Sequence, residues 1–375
     1  MPWREVCTVS LRTEFVMLAQ QEGVNLAELC RRYQISRKTG YKWLKRYACE
    51  GQSGLSDRSR RPHHSPGKTS CVMEQAVVRL RDKHPWGGRK IHRRLQVLGY
   101  PDVPAPSTIT GILRRHARLA PSPSCASFTR FERKVPNELW QMDFKGHFAL
   151  GNTQRCHPLT VLDDHSRFSL CLKACANERK DTVQHALTRT LRRYGLPQQL
   201  IVDNGSPWGS DQTHYLTPLT VWLMRLGIRV AHSRPYHPQT LGKEERFHRT
   251  LKAEVLSTHV FRDLDHTQRH FERWRHVYNT QRPHEALDLQ VPAQRYRPSQ
   301  RRYPESLPPI EYGPDDRVRK VQAKGEISYQ GHVFRIAKAL RSYPVALRPT
   351  TTDAVMDVYF LNTKVTQIDL SHPYR

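Results

Sequence analysis

Trp140-Gln141-Met142-Asp143-Phe144 decides how the middle of this chain is read. Its alternation is that of a β-strand, with Trp140, Met142 and Phe144 on one face and Gln141, Asp143 and Lys145 on the other. Asp143 can therefore point toward a cleft while its neighbours pack. Further on, the apolar run Leu200-Ile201-Val202 reads as a buried strand and stops at Asp203-Asn204-Gly205. The end of a parallel-type strand is where open α/β sheets carry function, although the same three residues also suit a plain tight turn. A third acid, Glu245, opens the basic helical segment Gly242-Lys243-Glu244-Glu245-Arg246-Phe247. Acids at a strand, a strand end and a helix, set among Lys and Arg, suit oxygen ligation of Mg²⁺ (or Mn²⁺) acting on nucleic acid. A pair of ions on Asp143, Asp203 and Glu245 would serve an in-line displacement at phosphorus. Each acid alone is also an ordinary structural residue; the ordered trio carries the reading.

Working outward, residues 139–150, 156–162 and 167–176 read as a three-strand meander around Gly151-Asn152 and Asp163-Asp164-His165-Ser166. A helix over 180–194, a strand over 199–202, a helix over 217–226 and a short strand over 228–231 continue an α/β sheet. Helices over 240–256 and 264–280 close it, giving a core domain over 135–298. On the first of these, Glu245 shares a face with Arg249 and Lys252 by i+4 and i+7 spacing. Lys243, Arg246, Arg249 and Lys252 are candidate phosphate contacts, and Gln239 is a candidate DNA contact from the 233–239 loop. A linker over 299–316, with four prolines between 301 and 316, precedes short strands that predict a small closed β-barrel over 317–375.

The 375 residues suffice for several domains, and a net charge of +27 points to a polyanionic partner. The excess is uneven: residues 1–130 hold 24 Lys/Arg against 9 Asp/Glu, over half of it. There the pattern predicts helices over 11–21, 26–33 and 37–47, with Asn25 and Ser36 as N-caps. The tight corner Gln34-Ile35-Ser36 suits a helix-turn-helix over 1–50. Its third helix would offer Arg37, Lys38, Thr39, Lys42, Lys45 and Arg46 to a major groove. A helical bundle with a charged face is the plainer alternative. A basic linker over 51–68 leads to a second helical unit over 69–120, with helices over 72–83, from 88, and after Ser107. Arg89, Lys90, Arg114 and Arg115 are its candidate DNA contacts. A Pro/Ser linker over 121–134 joins it to the core.

Eight cysteines without a C-x-x-C pair argue for reduced thiols and against a zinc finger. No run of 18 apolar residues and no signal peptide are seen, so the expectation is a cytoplasmic protein, nucleoid-associated when bound to DNA, without a membrane partner. No phosphate-cradling glycine loop appears, so ATP use is not expected.

Residues 140–144, 162–167, 201–205 and His237-Pro238-Gln239-Thr240-Leu241-Gly242-Lys243-Glu244-Glu245-Arg246-Phe247-His248-Arg249 together resemble bacterial insertion-sequence transposases with a retroviral-integrase-type core. Tyr278-Asn279, Arg282-Pro283-His284-Glu285-Ala286-Leu287, Pro292 and Tyr296 resemble the segment that closes that core. The resemblance covers most of the chain. It implies a ribonuclease-H-like fold and Asp-Asp-Glu chemistry, in which water frees a 3′-hydroxyl at each element end and that hydroxyl attacks target DNA. It implies a homo-oligomer on paired ends, with double-stranded DNA (terminal inverted repeats and target) as partner. Asp143 and Asp203 match the two aspartates, and Glu245 matches the glutamate because it stands three positions after Gly242; Glu244 is the second candidate. Asp203 and Glu245 lie 42 positions apart, longer than usual, with the excess in residues 206–217. No His/Cys set matches the zinc-bound N-terminal domain of retroviral integrases. Two alternatives remain open here: a non-catalytic DNA-binding regulator derived from a transposase, and a structure-selective nuclease of the same fold.

Overall fold

The computed structural model describes residues 8–58, 67–119, 132–209, 216–232 and 242–372. The chain forms two compact units, Met1–Lys68 and Thr69–Arg375. Gln239 and the 233–239 loop lie outside the described residues, as do most of the 121–134 linker and the middle of the 206–217 loop.

The first unit is built from α1 (Thr8–Ala19), α2 (Leu26–Arg32) and α3 (Arg37–Glu50). Both expected caps form: the Asn25 side chain accepts from the Ala27 and Glu28 amides, and Ser36 from the Thr39 amide. Phe15, Val16, Leu29, Cys30, Trp43 and Leu55 make its core. Gly40 lets α3 approach closely, since a Cβ there would lie 2.6 Å from the Cys30 sulfur. Arg37, Lys38, Lys42 and Lys45 are exposed on α3, and Arg46 is half-buried.

The second unit begins with α4 (Cys71–Lys83), α5 (Gly88–Val97) and α6 (Pro106–Arg115), packed around Trp86, Ile91, Leu95, Ile109, Ile112 and Leu113. Val277 of the following domain joins this cluster, so the helical unit rests on its neighbour.

That neighbour is a sheet with helices on both faces. Its strands are β1 (Leu139–Phe144), β2 (Phe148–Ala149), β3 (Arg155–Asp163), β4 (Ser169–Cys175), β5 (Gln199–Val202) and β6 (Arg229–His232). β1 pairs antiparallel with β3 and parallel with β5, β3 pairs antiparallel with β4, and β5 pairs parallel with β6. The meander is as expected, except that the strand anticipated over 139–150 breaks after Phe144, where Gly146 takes φ +80°. Trp140, Met142, Leu200 and Val202 pack with α7 (Lys180–Tyr194) and α8 (Pro218–Arg225) on one face. Leu162, Leu172 and Ala174 pack with α9 (Gly242–Leu251) and α10 (Leu264–Thr280) on the other. The single helix expected over 240–256 changes instead to a π-helical turn at Lys252–Leu256.

α8 is apolar all round because it is covered twice. Leu219, Trp222 and Leu223 face the sheet, while Val221 and Met224 enter the core of the C-terminal strands. A short helix α11 (Pro292–Arg295) precedes those strands, β7 (Arg317–Lys320), β8 (Glu326–Tyr329), β9 (His332–Arg335), β10 (Pro344–Pro349), β11 (Val355–Phe360) and β12 (Thr363–Asp369). The expected closed barrel is not formed by their pairing. A four-stranded sheet in the order β12-β11-β10-β7 and a separate β8-β9 hairpin share one core instead. The short strands that suggested a barrel are equally served by a hairpin folded over an open sheet.

Candidate active site

β1 and β5 run side by side, with Gln141 opposite Ile201. Asp143 and Asp203 each stand two positions beyond that pair, so alternation points both to the face that Trp140, Leu200 and Val202 do not occupy. Neighbouring strands are about 4.8 Å apart, which brings the two carboxyl groups within strong electrostatic reach. Burial and then the Asp203 charge raise the Asp143 carboxyl to about 7. Burial also raises Asp203, against the Gly205 amide and Trp208, which stabilise its charge. His232 on β6 bonds the Asp203 carbonyl oxygen at 3.0 Å, holding the strand end.

α9 lies over this corner. Its inward stripe is Glu244, Phe247, His248 and Leu251, the i, i+3, i+4, i+7 set of one helical face. Glu244 is fully buried, and the Thr160 hydroxyl on β3 bonds its Oε2 at 3.0 Å. Thr160 sits opposite Asp143 in the β1–β3 ladder and also reaches the Asp143 carbonyl oxygen at 2.9 Å. His248 Nε2 lies 2.8 Å from the same hydroxyl, and its Nδ1 is 3.8 Å from Asp143 Oδ2. Burial and then Lys145 hold the His248 imidazole down at about 3, so it is neutral at pH 7. His248 thus stands between the Thr160 hydroxyl and the Asp143 carboxyl, with one ring nitrogen toward each.

Burial, then Asp143, raise Glu244 well above the usual carboxylate range. Its Oε1 is buried and has no hydrogen-bond partner among the described residues.

Glu245 is exposed on the outer side of α9, together with Arg246, Arg249 and Lys252. The expected grouping of Glu245 with Arg249 and Lys252 therefore holds. The acid that α9 presses against Asp143 is Glu244, because Phe247 and Leu251 put residue 244 on the buried stripe and leave Glu245 on the exposed side. Lys243 departs from its expected place. It turns inward to pair with the buried Asp164 carboxylate, which removes it from the phosphate contacts. Arg89 and Arg114 are exposed, Arg115 pairs with Glu74, and Lys90 is half-buried.

Three contributors went unnoticed in the sequence. Glu178, just before α7, bonds His157 at 2.8 Å and adds its charge to both Asp143 and Asp203. Thr160 carried no local signal, whereas His248 was legible as the residue four past Glu244. The Asp163-Asp164-His165-Ser166 turn is a fastening rather than a reactive group. Asp163 accepts from the Asn137 and Ser166 amides at 2.7 and 2.8 Å, and Asp164 from the Gln141 side chain and the Arg133 amide, each at 2.8 Å.

Among the described residues, no three His, Cys, Asp or Glu side chains are drawn together closely enough to hold an ion as they stand. The donor set nevertheless fits a hard divalent cation: oxygen ligands in excess, a carboxyl raised by its neighbour, and a buried carboxyl oxygen lacking a partner.

Models of the integrase core domain match residues 133–238 and 226–292. A helix-turn-helix domain model matches 11–63, a homeodomain-like domain model 39–113, and the C-terminal domain of the IS481 family transposases 316–373. The chain carries an integrase core domain and a C-terminal region like that of the IS481 family transposases. This integrase-core protein is 32% identical over 163 residues to an uncharacterized insertion element IS407 protein of Burkholderia multivorans, a match spanning 43% of this chain and 55% of that one. It is 27% identical over 281 residues to an uncharacterized insertion element IS476 protein of Xanthomonas euvesicatoria, spanning 72% and 78%. A chain of the simian T-cell lymphotropic virus intasome aligns at 16% identity and a TM-score of 0.38, covering 77% of this protein and 99% of that chain. No described helix is long and apolar enough to cross a membrane.

Proposed function

We propose that this integrase-core protein is an insertion-sequence DNA transposase, a polynucleotidyl transferase that cuts at element ends and joins the freed 3′-hydroxyl to target DNA. The reading rests on one observation: Asp143 and Asp203 end neighbouring parallel strands on the face that α9 covers, with their charges coupled. Asp143, Asp203 and Glu245 are the assigned ligands, and Mg²⁺ or Mn²⁺, as one ion or a pair, would supply Lewis-acid stabilisation of charge at phosphorus. Glu245 keeps its place because an acid that meets a DNA-bound ion must reach solvent, and Glu245 does. It stands one helical turn before His248, which already touches Asp143. Glu244 is the second reading, favoured by its direct coupling to Asp143.

Arg246, Arg249 and Lys252 would hold phosphates beside the site, and Arg37, Lys38, Lys42, Lys45 and Arg46 would read the element ends from α3. Paired ends require at least two copies of the chain, hence a homo-oligomer on DNA.

Asp203→Asn tests the assignment in a plasmid integration assay with duplexes carrying the element ends. Strand transfer should fall to background while end binding is unchanged. Retained strand transfer refutes the catalytic assignment, and cleavage without joining by the unmodified protein would identify a nuclease instead.

A further inference from the structure

Arg282-Pro283-His284-Glu285 stood out in the sequence, yet none of its residues belongs to the carboxylate corner. It follows α10 and lies where α5 of the helical unit meets the core. Arg94 on α5 bonds Gln281 at 3.3 Å, and Arg89 faces Glu285 at 4.0 Å. Val277, one turn back on α10, packs into the helical unit's own core. The seam is therefore a built interface.

Its polar groups do not balance. Lys90, in the first turn of α5, is half-buried and has no hydrogen bond or ion pair among the described residues. Burial and then the adjacent Arg282 guanidinium hold its ammonium down at about 8. Arg282 is 9% exposed and commits only its Nε, to Glu254 at 3.1 Å, leaving its two terminal amino groups without partners among the described residues. His284 is 8% exposed, its charge state felt by both Arg282 and Lys90, and its Nε2 is buried with no partner. The nearby acids act on Lys90 but are shared: Glu254 also accepts from Trp274 and Arg282, and Glu285 also faces Arg89. The N-terminus of α5 has no side-chain cap, which adds to the positive field.

A half-buried ammonium, a guanidinium that commits only its Nε and an unpartnered imidazole nitrogen leave the seam with more cationic groups than the Glu254 and Glu285 carboxylates offset. We infer that Lys90, Arg282 and His284 form a phosphoryl-oxyanion site at the seam between the helical unit and the integrase core. The occupant is a tetrahedral phosphoryl group, from a DNA backbone or from free phosphate. Arg282 offers a two-pronged contact, Lys90 a point charge, and His284 a donor once it takes a second proton. A backbone phosphate seated there would lock the helical unit and the catalytic core onto the same duplex.

The test uses the full chain. Sodium phosphate should raise its melting temperature above that in sodium chloride of equal ionic strength. Lys90→Gln should abolish that rise, Lys90→Arg should restore it, and Asp143→Asn should leave it intact, so the outcome does not depend on the carboxylate reading. Melting without phosphate checks the fold of Lys90→Gln, which should be no less stable than the unmodified chain. Duplexes bearing one methylphosphonate at a time separate the sources. A position whose neutralisation weakens the unmodified protein about tenfold, but not Lys90→Gln, assigns a backbone phosphate. Uniform effects assign free phosphate. A phosphate shift that survives Lys90→Gln, or its absence in the unmodified chain, overturns the site.

Discussion

Two margins of the same sheet treat polar groups in opposite ways. Along β4, the edge strand, α10 satisfies the outward backbone. Asn279 bonds both the amide and the carbonyl of Ser169, Gln268 bonds the Ala174 amide and the Leu172 carbonyl, and Arg275 reaches the Leu170 carbonyl. At the carboxyl ends of β1 and β5, by contrast, the Asp143, Asp203 and Glu244 carboxyl groups are all raised, and one Glu244 oxygen is buried with no hydrogen-bond partner among the described residues. The first margin removes an exposed strand edge and adds stability. The second gives stability up, and such uncompensated crowding marks a place built for something absent from the protein alone.

The contrast is broken or sharpened by substitution, beginning with the largest effect. Glu245→Gln should reduce strand transfer to background at unchanged melting temperature. Glu244→Gln, acting through Thr160 and His248, should cost only about 10- to 100-fold. If the larger loss falls on Glu244 instead, the third ligand is Glu244. Next, Lys243→Met leaves the fully buried Asp164 charge without its ammonium and should destabilise the fold by about 3–5 kcal/mol in urea unfolding. Asn279→Leu strands the amide and carbonyl of Ser169 at the paired edge. It should lower stability by about 2–4 kcal/mol, and an unchanged unfolding midpoint would show that the edge needs no cover.

Much of this was legible in sequence, and the misses have physical causes. The strand faces around Asp143, the helix over Lys180–Tyr194 and both N-caps of the first unit follow from local periodicity and side-chain chemistry. The inward acid of α9 was also legible, since Phe247 and Leu251 put residue 244 and not 245 on the buried stripe. A closed barrel was not decidable from a run of short strands, because strand order is set by long-range pairing. Lys243 read as a free cation because its partner, Asp164, is 79 residues away.

The smallest expected effect concerns pH in the absence of divalent ions. Asp143 stays protonated in the fold up to about 7, whereas an unfolded chain releases that proton near 4. The folded state therefore binds more protons between those values, and its stability falls as pH rises through the window. Asp143→Asn, which cannot ionise, should match the unmodified protein near pH 4 and melt a few degrees higher at pH 8.

The most direct measurement follows from that difference: the melting temperature at pH 8 with and without millimolar Mg²⁺ or Mn²⁺, for the unmodified chain and for Asp143→Asn. If the crowded corner is a cation site, the ion raises the unmodified protein's melting temperature and leaves the variant's unchanged. Equal shifts in both proteins, or none in either, would contradict it.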